Sequence, residues 1–261
     1  MWGRLLNFRA IPARAEDRRK DDRAGPGTAI IPVMKTTAVT GNLTQLTRLG
    51  AVNAFLVRED DGFTLVDTML ERSEQALLTA AEEAGAPVTR ILVTHAHYDH
   101  VGSLVALARM LPDAEVIAPK RDAKLMRGDK SGEPGEPDGK LRGAYKPLDV
   151  EIGREVSEGD RIGSLKVIEA PGHSPGQCAY LDTRDGTLIA ADAFSSLGGV
   201  ATTAGPYWKF PLPGFITWHR PTALESARKL RDLEPSLLVV GHGKPTKDPV
   251  PAMTEAIQKR A

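Results

Sequence analysis

Three histidines and one aspartate lie within six consecutive positions of the sequence, at His95, His97, Asp99 and His100. They directly follow the apolar stretch 91–93, which predicts a buried strand, and they precede a stretch whose Ala and Leu content predicts a helix. Strand alternation directs His95 and His97 to the same side, while the turn into the helix lets Asp99 and His100 face a second point nearby. Imidazole and carboxylate groups bind Zn²⁺, Mn²⁺ or Fe. The cluster therefore predicts two neighbouring metal positions.

Three further residues of metal-binding type follow other predicted strands. His173 lies in the Gly- and Pro-rich turn 170–176, His242 lies in the turn 241–245, and Asp192 follows an apolar strand. Glycine next to a ligand lets the backbone approach it closely. Since strand ends at one edge of a sheet lie close together, we expect these side chains to join the first cluster at one rim.

His219 is the one histidine of the sequence outside these groups. It stands just before a predicted helix, so we predict a capping or surface role for it, with contact to substrate as the alternative.

The remaining pattern predicts the elements that must carry the candidate ligands. The alternation of strands and helices predicts an α/β fold of two sheets with helices outside them, an αββα arrangement. Single strands are predicted at 52–57, 63–66, 91–93, 116–118, 178–181, 187–191 and 237–240, and two more strands lie within 156–170 around the turn 158–160. The predicted helices lie at 74–84, 101–110, 222–233 and beyond 251, and a loop is predicted at 128–147.

Composition narrows the partners and the location. The 261 residues carry 34 basic and 34 acidic side chains, and this zero net charge gives no reason to expect a nucleic acid partner. Cys178 is the one cysteine, so no intrachain disulfide is expected, which fits a reducing compartment, and we expect a cytoplasmic protein. No apolar run approaches the ~20 residues that span a bilayer. The polar stretch 1–33 predicts a mobile N-terminal arm or extension ahead of a catalytic domain at 34–261.

The pattern His95-x-His97-x-Asp99-His100, followed in order by His173, Asp192 and His242, resembles the metallo-β-lactamase-fold metallo-hydrolase superfamily from about residue 36 onward. The resemblance implies a four-layer αββα sandwich that holds two divalent ions, with Zn²⁺ favoured and Mn²⁺ or Fe as alternatives. His95, His97 and His173 would hold the first ion. Asp99, His100 and His242 would hold the second, and Asp192 would bridge the two.

The resemblance also implies roles for other residues. A metal-bridging hydroxide would attack the substrate, and Asp99 would act as the catalytic residue that orients the hydroxide or passes its proton on. Asp67, at the end of a predicted strand, would orient a ligand histidine from behind, and Thr94 is a second candidate for such a role. A tyrosine often assists in this superfamily, and four tyrosines are candidates: Tyr98, Tyr145, Tyr180 and Tyr207.

The substrate is the least defined part of the prediction. The stretch 195–218 is uncharged except for Lys209 and rich in aromatic residues, so it would line an apolar substrate pocket. The same stretch would equally suit a packed core or a contact between two copies of the chain, so a homodimer stays open. The aromatic candidates are Tyr207, Trp208, Phe210, Phe215 and Trp218.

We therefore predict a small-molecule hydrolase that acts on an ester or lactone with an apolar part. Carboxylates at both Asp99 and Asp192 differ from the set usual in zinc β-lactamases. A glyoxalase II-type thioesterase is one alternative, although its longer C-terminal helical region is not expected here. A mononuclear iron persulfide dioxygenase that uses only His95, His97 and His173 is another, and a metal-dependent binding protein without activity is the third.

Overall fold

The computed structural model describes residues 34–260. The predicted N-terminal arm at 1–33 lies outside the described residues. Within the described part of the chain, no helix is long and apolar enough to cross a membrane.

The first sheet has seven strands in the order in which they occur along the chain. Strands β1 to β4 pair antiparallel, and β4 to β7 pair parallel. The parallel pairs need crossover connections, and short helices supply most of them. The strands are β1 (Met34–Ala38), β2 (Leu43–Arg48), β3 (Val52–Glu59), β4 (Gly62–Val66), β5 (Val88–Leu92), β6 (Glu115–Pro119) and β7 (Arg154–Val156), and the helices are α1 (Glu74–Glu83), α2 (Tyr98–Val101), α3 (Leu104–Met110) and α4 (Lys120–Met126).

The second sheet has six strands in the order β15-β14-β11-β10-β9-β8, and β11 and β14 form its one parallel pair. Its strands are β8 (Arg161–Ile162), β9 (Leu165–Glu169), β10 (Cys178–Asp182), β11 (Thr187–Ile189), β14 (Leu237–Val239) and β15 (Thr246–Lys247). A separate two-stranded sheet pairs β12 (Phe194–Ser195) with β13 (Ala201–Thr202). The helices of this half are α5 (Leu212–Ile216), α6 (Arg220–Arg231) and α7 (Val250–Gln258), and a 3₁₀ turn covers Ala191–Ala193.

Three apolar layers separate four layers of secondary structure. In β3, Ala54 and Leu56 pack on the helical side of the first sheet, whereas Phe55 and Val57 pack between the two sheets. Tyr180 of the second sheet joins this central layer. A third layer packs the second sheet against α6 and α7. The αββα sandwich predicted from the sequence is therefore confirmed, because a strand buried on both faces needs a partner layer on each side.

Two local predictions were wrong in detail. The single helix predicted at 101–110 is divided into α2 and α3, with Gly102 at the break packed so closely on the backbone of 69–71 that an added Cβ would lie 2.5 Å from Glu71 N. Helix α4 was not predicted. It is followed by the long connection 127–153, which has neither helix nor strand. The predicted loop at 128–147 lies inside this connection, which passes beside His97 through the carbonyl of Arg142.

Candidate metal centre

The ends of four strands bring the seven predicted ligands together. His95 and His97 follow β5, and the next residues enter α2, which carries Asp99 and His100. The other three follow β9, β11 and β14 of the second sheet. All seven are buried except Asp99, whose side chain is 29% exposed. The site therefore lies at one edge of both sheets and reaches solvent beside Asp99.

Three histidines form the first group of donor atoms. His97 Nδ1 lies 3.1 Å from His95 Nε2 and 3.0 Å from His173 Nε2. These nitrogens lie within 4.8 Å of one another and enclose a point that a single ion could occupy. Three neutral imidazoles with a fourth position left free form the usual arrangement of a catalytic zinc site.

Asp99, His100 and His242 form a second group beside the first. His242 Nε2 lies 3.3 Å from Asp99 Oδ2 and 3.2 Å from Asp192 Oδ2. Asp192 Oδ2 also lies 3.4 Å from His173 Nε2 in the first group, so this carboxylate faces both groups. His100 Nε2 and Asp192 Oδ1 are buried 3.5 Å apart, and neither atom has a regular hydrogen-bond partner in the described part of the chain. Buried metal-ligating atoms left in this way are what bound divalent ions would satisfy, so the residues fit a two-metal site.

The outward nitrogen of each histidine in the first group has a fixed acceptor. His97 Nε2–H donates to Arg142 O at 3.0 Å, which leaves Nδ1 free to face the site. The Thr217 hydroxyl, 3.1 Å from His173 Nδ1, donates its own proton to Thr203 O and therefore accepts from that nitrogen. Thr94 Oγ1 donates to Asp67 and likewise accepts from His95 Nδ1. These bonds select the tautomers that place a lone pair inside the site.

The histidines of the second group are fixed in the same way. His100 Nδ1–H donates to Asp67 Oδ2 at 2.7 Å, and His242 Nδ1–H donates to Ala51 O at 3.1 Å. Asn53 holds the turn that carries His242, because its amide donates to Val240 O and Gly243 O. The structure thus places Asp67 and Thr94 directly behind the ligand histidines, where the sequence predicted them.

The two groups differ in electrostatic character. Burial lowers the pKa of His97 to about 4 and that of His173 to about 3, so the first group is neutral. Burial also acts against a proton on His242, but Asp192 and Asp99 outweigh it and raise the pKa of His242 to about 10. Without a bound ion, His242 therefore keeps a proton that balances charge on the two neighbouring carboxylates. A divalent cation would take the place of this proton beside Asp99 and Asp192.

Several residues behind the ligands carry no recognisable signal in the sequence. Thr217 and Asn53 are ordinary polar residues in their segments, and Arg142 and Ala51 contribute only backbone carbonyls. Every residue has such a carbonyl, so no residue type marks the ones that accept from a ligand. Thr217 could have been suspected only from its place in the aromatic stretch that follows Asp192.

The tyrosines that were candidates for a catalytic role lie in different surroundings. Tyr180 is buried and donates to Val93 O, and Tyr98 donates to Glu71. Tyr145 packs its ring 4.7 Å from that of His97, and its buried hydroxyl has no partner in the described residues. Tyr207 donates to Gly198 O.

The aromatic stretch is only partly next to the site. Phe210 packs its ring 5.4 Å from that of His242, whereas Trp208 and Phe215 are exposed, at 80% and 55%. Trp218 is buried and donates from its indole to Gly139 O of the connection 127–153. His219 caps α6, because its Nδ1 accepts from Thr222 N, so the predicted capping role is confirmed.

Comparison with known proteins agrees with this geometry. The chain is 44% identical over 218 residues to the uncharacterized protein YobT of Bacillus subtilis (strain 168), covering 83% of this chain and 94% of that protein. It is 32% identical over 171 residues to a hydroxyacylglutathione hydrolase of Rhodopseudomonas palustris (strain BisB5), covering 64% of this chain and 52% of that enzyme. It therefore spans about half the length of that relative.

A solved structure and a family model point the same way. The crystal structure of the DIM-1 metallo-beta-lactamase superposes with a TM-score of 0.65 at 16% identity, covering 87% of this chain and 96% of that one, which shows a shared fold. The model of the metallo-beta-lactamase superfamily matches residues 47–242, a range that begins in β2 and ends on the last of the seven clustered residues. Fold, ligand cluster and family model agree, and the chain belongs to the metallo-beta-lactamase superfamily.

Proposed function

We propose that this protein is a dinuclear metal-dependent hydrolase that cleaves an ester or lactone bearing an apolar part. One observation carries the proposal: Asp192 Oδ2 lies 3.4 Å from His173 Nε2 and 3.2 Å from His242 Nε2, so one carboxylate serves both donor groups. A site for a single ion would not need a carboxylate between two triads. Zn²⁺ suits the five imidazoles and two carboxylates, with Mn²⁺ and Fe as alternatives.

Two divalent ions held by these residues would supply an activated water and a Lewis acid for an acyl carbonyl. The chain itself supplies a group that moves protons. Burial acts against charge on Asp99, yet the imidazoles of His100 and His242 keep the pKa of its carboxyl below the ordinary range. Asp99 is therefore a carboxylate at neutral pH, and its partial exposure lets it accept a proton from water and release it to a leaving alkoxide.

The apolar part of the substrate is inferred from the surroundings of His242. Phe210 packs against this histidine, and the same stretch carries three exposed apolar side chains, Trp208, Leu212 and Phe215. Exposed apolar groups of this size gain free energy when a ligand or another protein covers them. A second copy of the chain could cover the same surface, so a homodimer is the alternative that we propose for it. Light scattering of the purified protein would show whether the dimer forms.

A thioester is the second candidate substrate. The chain's relatives include hydroxyacylglutathione hydrolases, one of them 32% identical over 171 residues. A thioester and an ester present the same acyl carbonyl to the metals and differ in the leaving atom. Cys178 is the single cysteine of the chain, and its thiol is buried. We propose a reducing, cytoplasmic location for this chain, and such a location would also suit a product with a free thiol.

The test combines metal analysis with a substrate panel. Purified protein is expected to contain two Zn²⁺, Mn²⁺ or Fe ions per chain and to hydrolyse lactones, esters or thioesters. H97A and D192A should lose metal and activity together, while H219N, which changes a histidine outside the site but keeps a helix cap, should lose neither. Activity that survives loss of the metals would refute the proposal. One iron per chain with oxygen uptake would instead favour a persulfide dioxygenase.

A further inference from the structure

Asp122 is a buried carboxylate whose contacts the ligand set does not explain. It lies in the first turn of α4, is fully buried, and accepts three hydrogen bonds. Its Oδ2 accepts from Ala96 N at 2.7 Å and from Ser174 Oγ at 2.8 Å. Its Oδ1 accepts from Gly176 N at 2.7 Å. A buried carboxylate needs such bonds to offset its desolvation, so both oxygens are committed.

The donors to Asp122 are adjacent to all three ligands of the first group. Ala96 separates His95 from His97, and Ser174 directly follows His173. These two loops leave different sheets, since the first follows β5 and the second follows β9. One carboxylate therefore sets the spacing between the two loops that must converge on the first metal position.

The loop after His173 packs closely against the first turn of α4. Gly176 lies against the start of α4, where an added Cβ would be 2.5 Å from Asp122 N and 2.7 Å from Asp122 Oδ1. The second group has supports of its own. Asp67 orients His100, and Asn53 and the Ala51 carbonyl hold His242 and its turn.

We propose that Asp122 is a positioning residue that selectively adjusts the first metal position by holding the His95–His97 loop against the His173 loop. This inference rests on the metal site of the proposed function. It assigns Asp122 to the spacing of the first position's ligands. The Asp67 network reaches His100 directly and His95 through Thr94. Asn53 holds the turn that carries His242. Groups behind metal ligands commonly change metal affinity about 10- to 100-fold when they are removed.

D122N tests the proposal with little change in volume. An amide has one acceptor oxygen, so in either orientation its NH₂ group faces at least one donor that the carboxylate satisfied. The variant is combined with H242A, which leaves the first position, and separately with H173A, which leaves the second. Zn²⁺ affinity is measured by competition with a chromogenic chelator. D122N should weaken binding about 10- to 100-fold in the H242A protein and less than about threefold in the H173A protein.

D182N is the matched control, because Asp182 is also buried and hydrogen-bonded but binds Arg184 at the end of β10. It should leave both affinities unchanged. If D122N does not fold, S174A removes a single donor and is expected to weaken only the first position, about three- to tenfold. Suppose that the wild-type protein binds two ions. The role of Asp122 is then overturned if D122N loses Zn²⁺ affinity equally at both positions, or loses it at neither. A wild-type protein that binds no metal would instead overturn the proposed function.

Discussion

Replacing Thr217 by valine keeps the shape of the side chain and removes the acceptor for His173. Thr217 Oγ1 lies 3.1 Å from His173 Nδ1 and donates to Thr203 O at 2.7 Å, and all three residues are buried. In T217V nothing accepts from Nδ1–H, so the imidazole can move its proton to the nitrogen that faces the metal. Binding the ion must then restore the original tautomer.

The magnitude follows from the buried donor that loses its partner. Such a group costs about 1–3 kcal/mol. At about 1.4 kcal/mol for each tenfold change, this loss corresponds to about a fivefold to 150-fold fall in metal affinity if it is expressed entirely in binding. Any part of this cost that the metal-free protein already bears should appear as a lower free energy of unfolding. We expect the loss in metal-binding free energy and the loss in unfolding free energy to sum to about 1–3 kcal/mol.

The assay needs a control that removes a buried hydroxyl without removing a hydrogen bond. Thr187 in β11 offers one, because its Oγ1 is buried and has no partner in the described residues. T187V should therefore be neutral or slightly stabilising. Zn²⁺ affinity by chelator competition and urea unfolding of the metal-free protein are measured for both variants. The reasoning is refuted if T217V and T187V are indistinguishable in both measurements.

Three further predictions concern the same site. G143A should weaken metal binding, because an added Cβ would lie 2.5 Å from His97 Nε2. The control G135A has a similar positive φ (+86° against +89°) but open space around it, so it should not. Equal metal affinities of the two variants would show that the connection 127–153 does not support His97. In the metal-free protein, the pKa of His242 is raised to about 10, which adds stability that is fully present below pH 6.5 and is lost as the pH rises through 10. Between these pH values, the free energy of urea unfolding should therefore fall more steeply in the wild type than in H242Q, and equal slopes would contradict the charge argument. Chelation should abolish hydrolysis and lower the unfolding free energy, because an ion present at 100 times its Kd adds about 2.7 kcal/mol, and unchanged thermal unfolding after complete metal removal would contradict this linkage.

Local sequence patterns were sufficient for the layered fold and the ligand set. The alternation in β3 and the apolar stretch before His95 describe strands that need helices on one side and a second sheet on the other, which the three apolar layers satisfy. The residue types of all seven predicted ligands are visible in the sequence. Five of the seven stand just beyond a strand end, and Asp99 and His100 lie in the short helix that follows β5. The structure brings all seven together for that reason.

Element boundaries and the aromatic stretch were less predictable. Gly102 divides a stretch that has helical composition throughout, because the backbone of residues 69–71 presses against it from outside the helix. The aromatic residues of the stretch 195–218 look alike in sequence, yet Trp218 is buried whereas Trp208 is 80% exposed. Hydrophobicity alone does not distinguish these positions, since the difference arises from what packs against each side chain.

The sequence by itself determined which side chains could bind metal and, through strand order, that they would meet at one edge. For His97, His173 and His242, only the tertiary structure decided which nitrogen faces the site. Their acceptors lie far along the chain: Arg142 O is 45 residues from His97, Thr217 is 44 from His173, and Ala51 O is 191 from His242. Patterns of residue type record local periodicity, whereas a carbonyl or hydroxyl becomes an orienting group only when folding brings it to the back of a ligand.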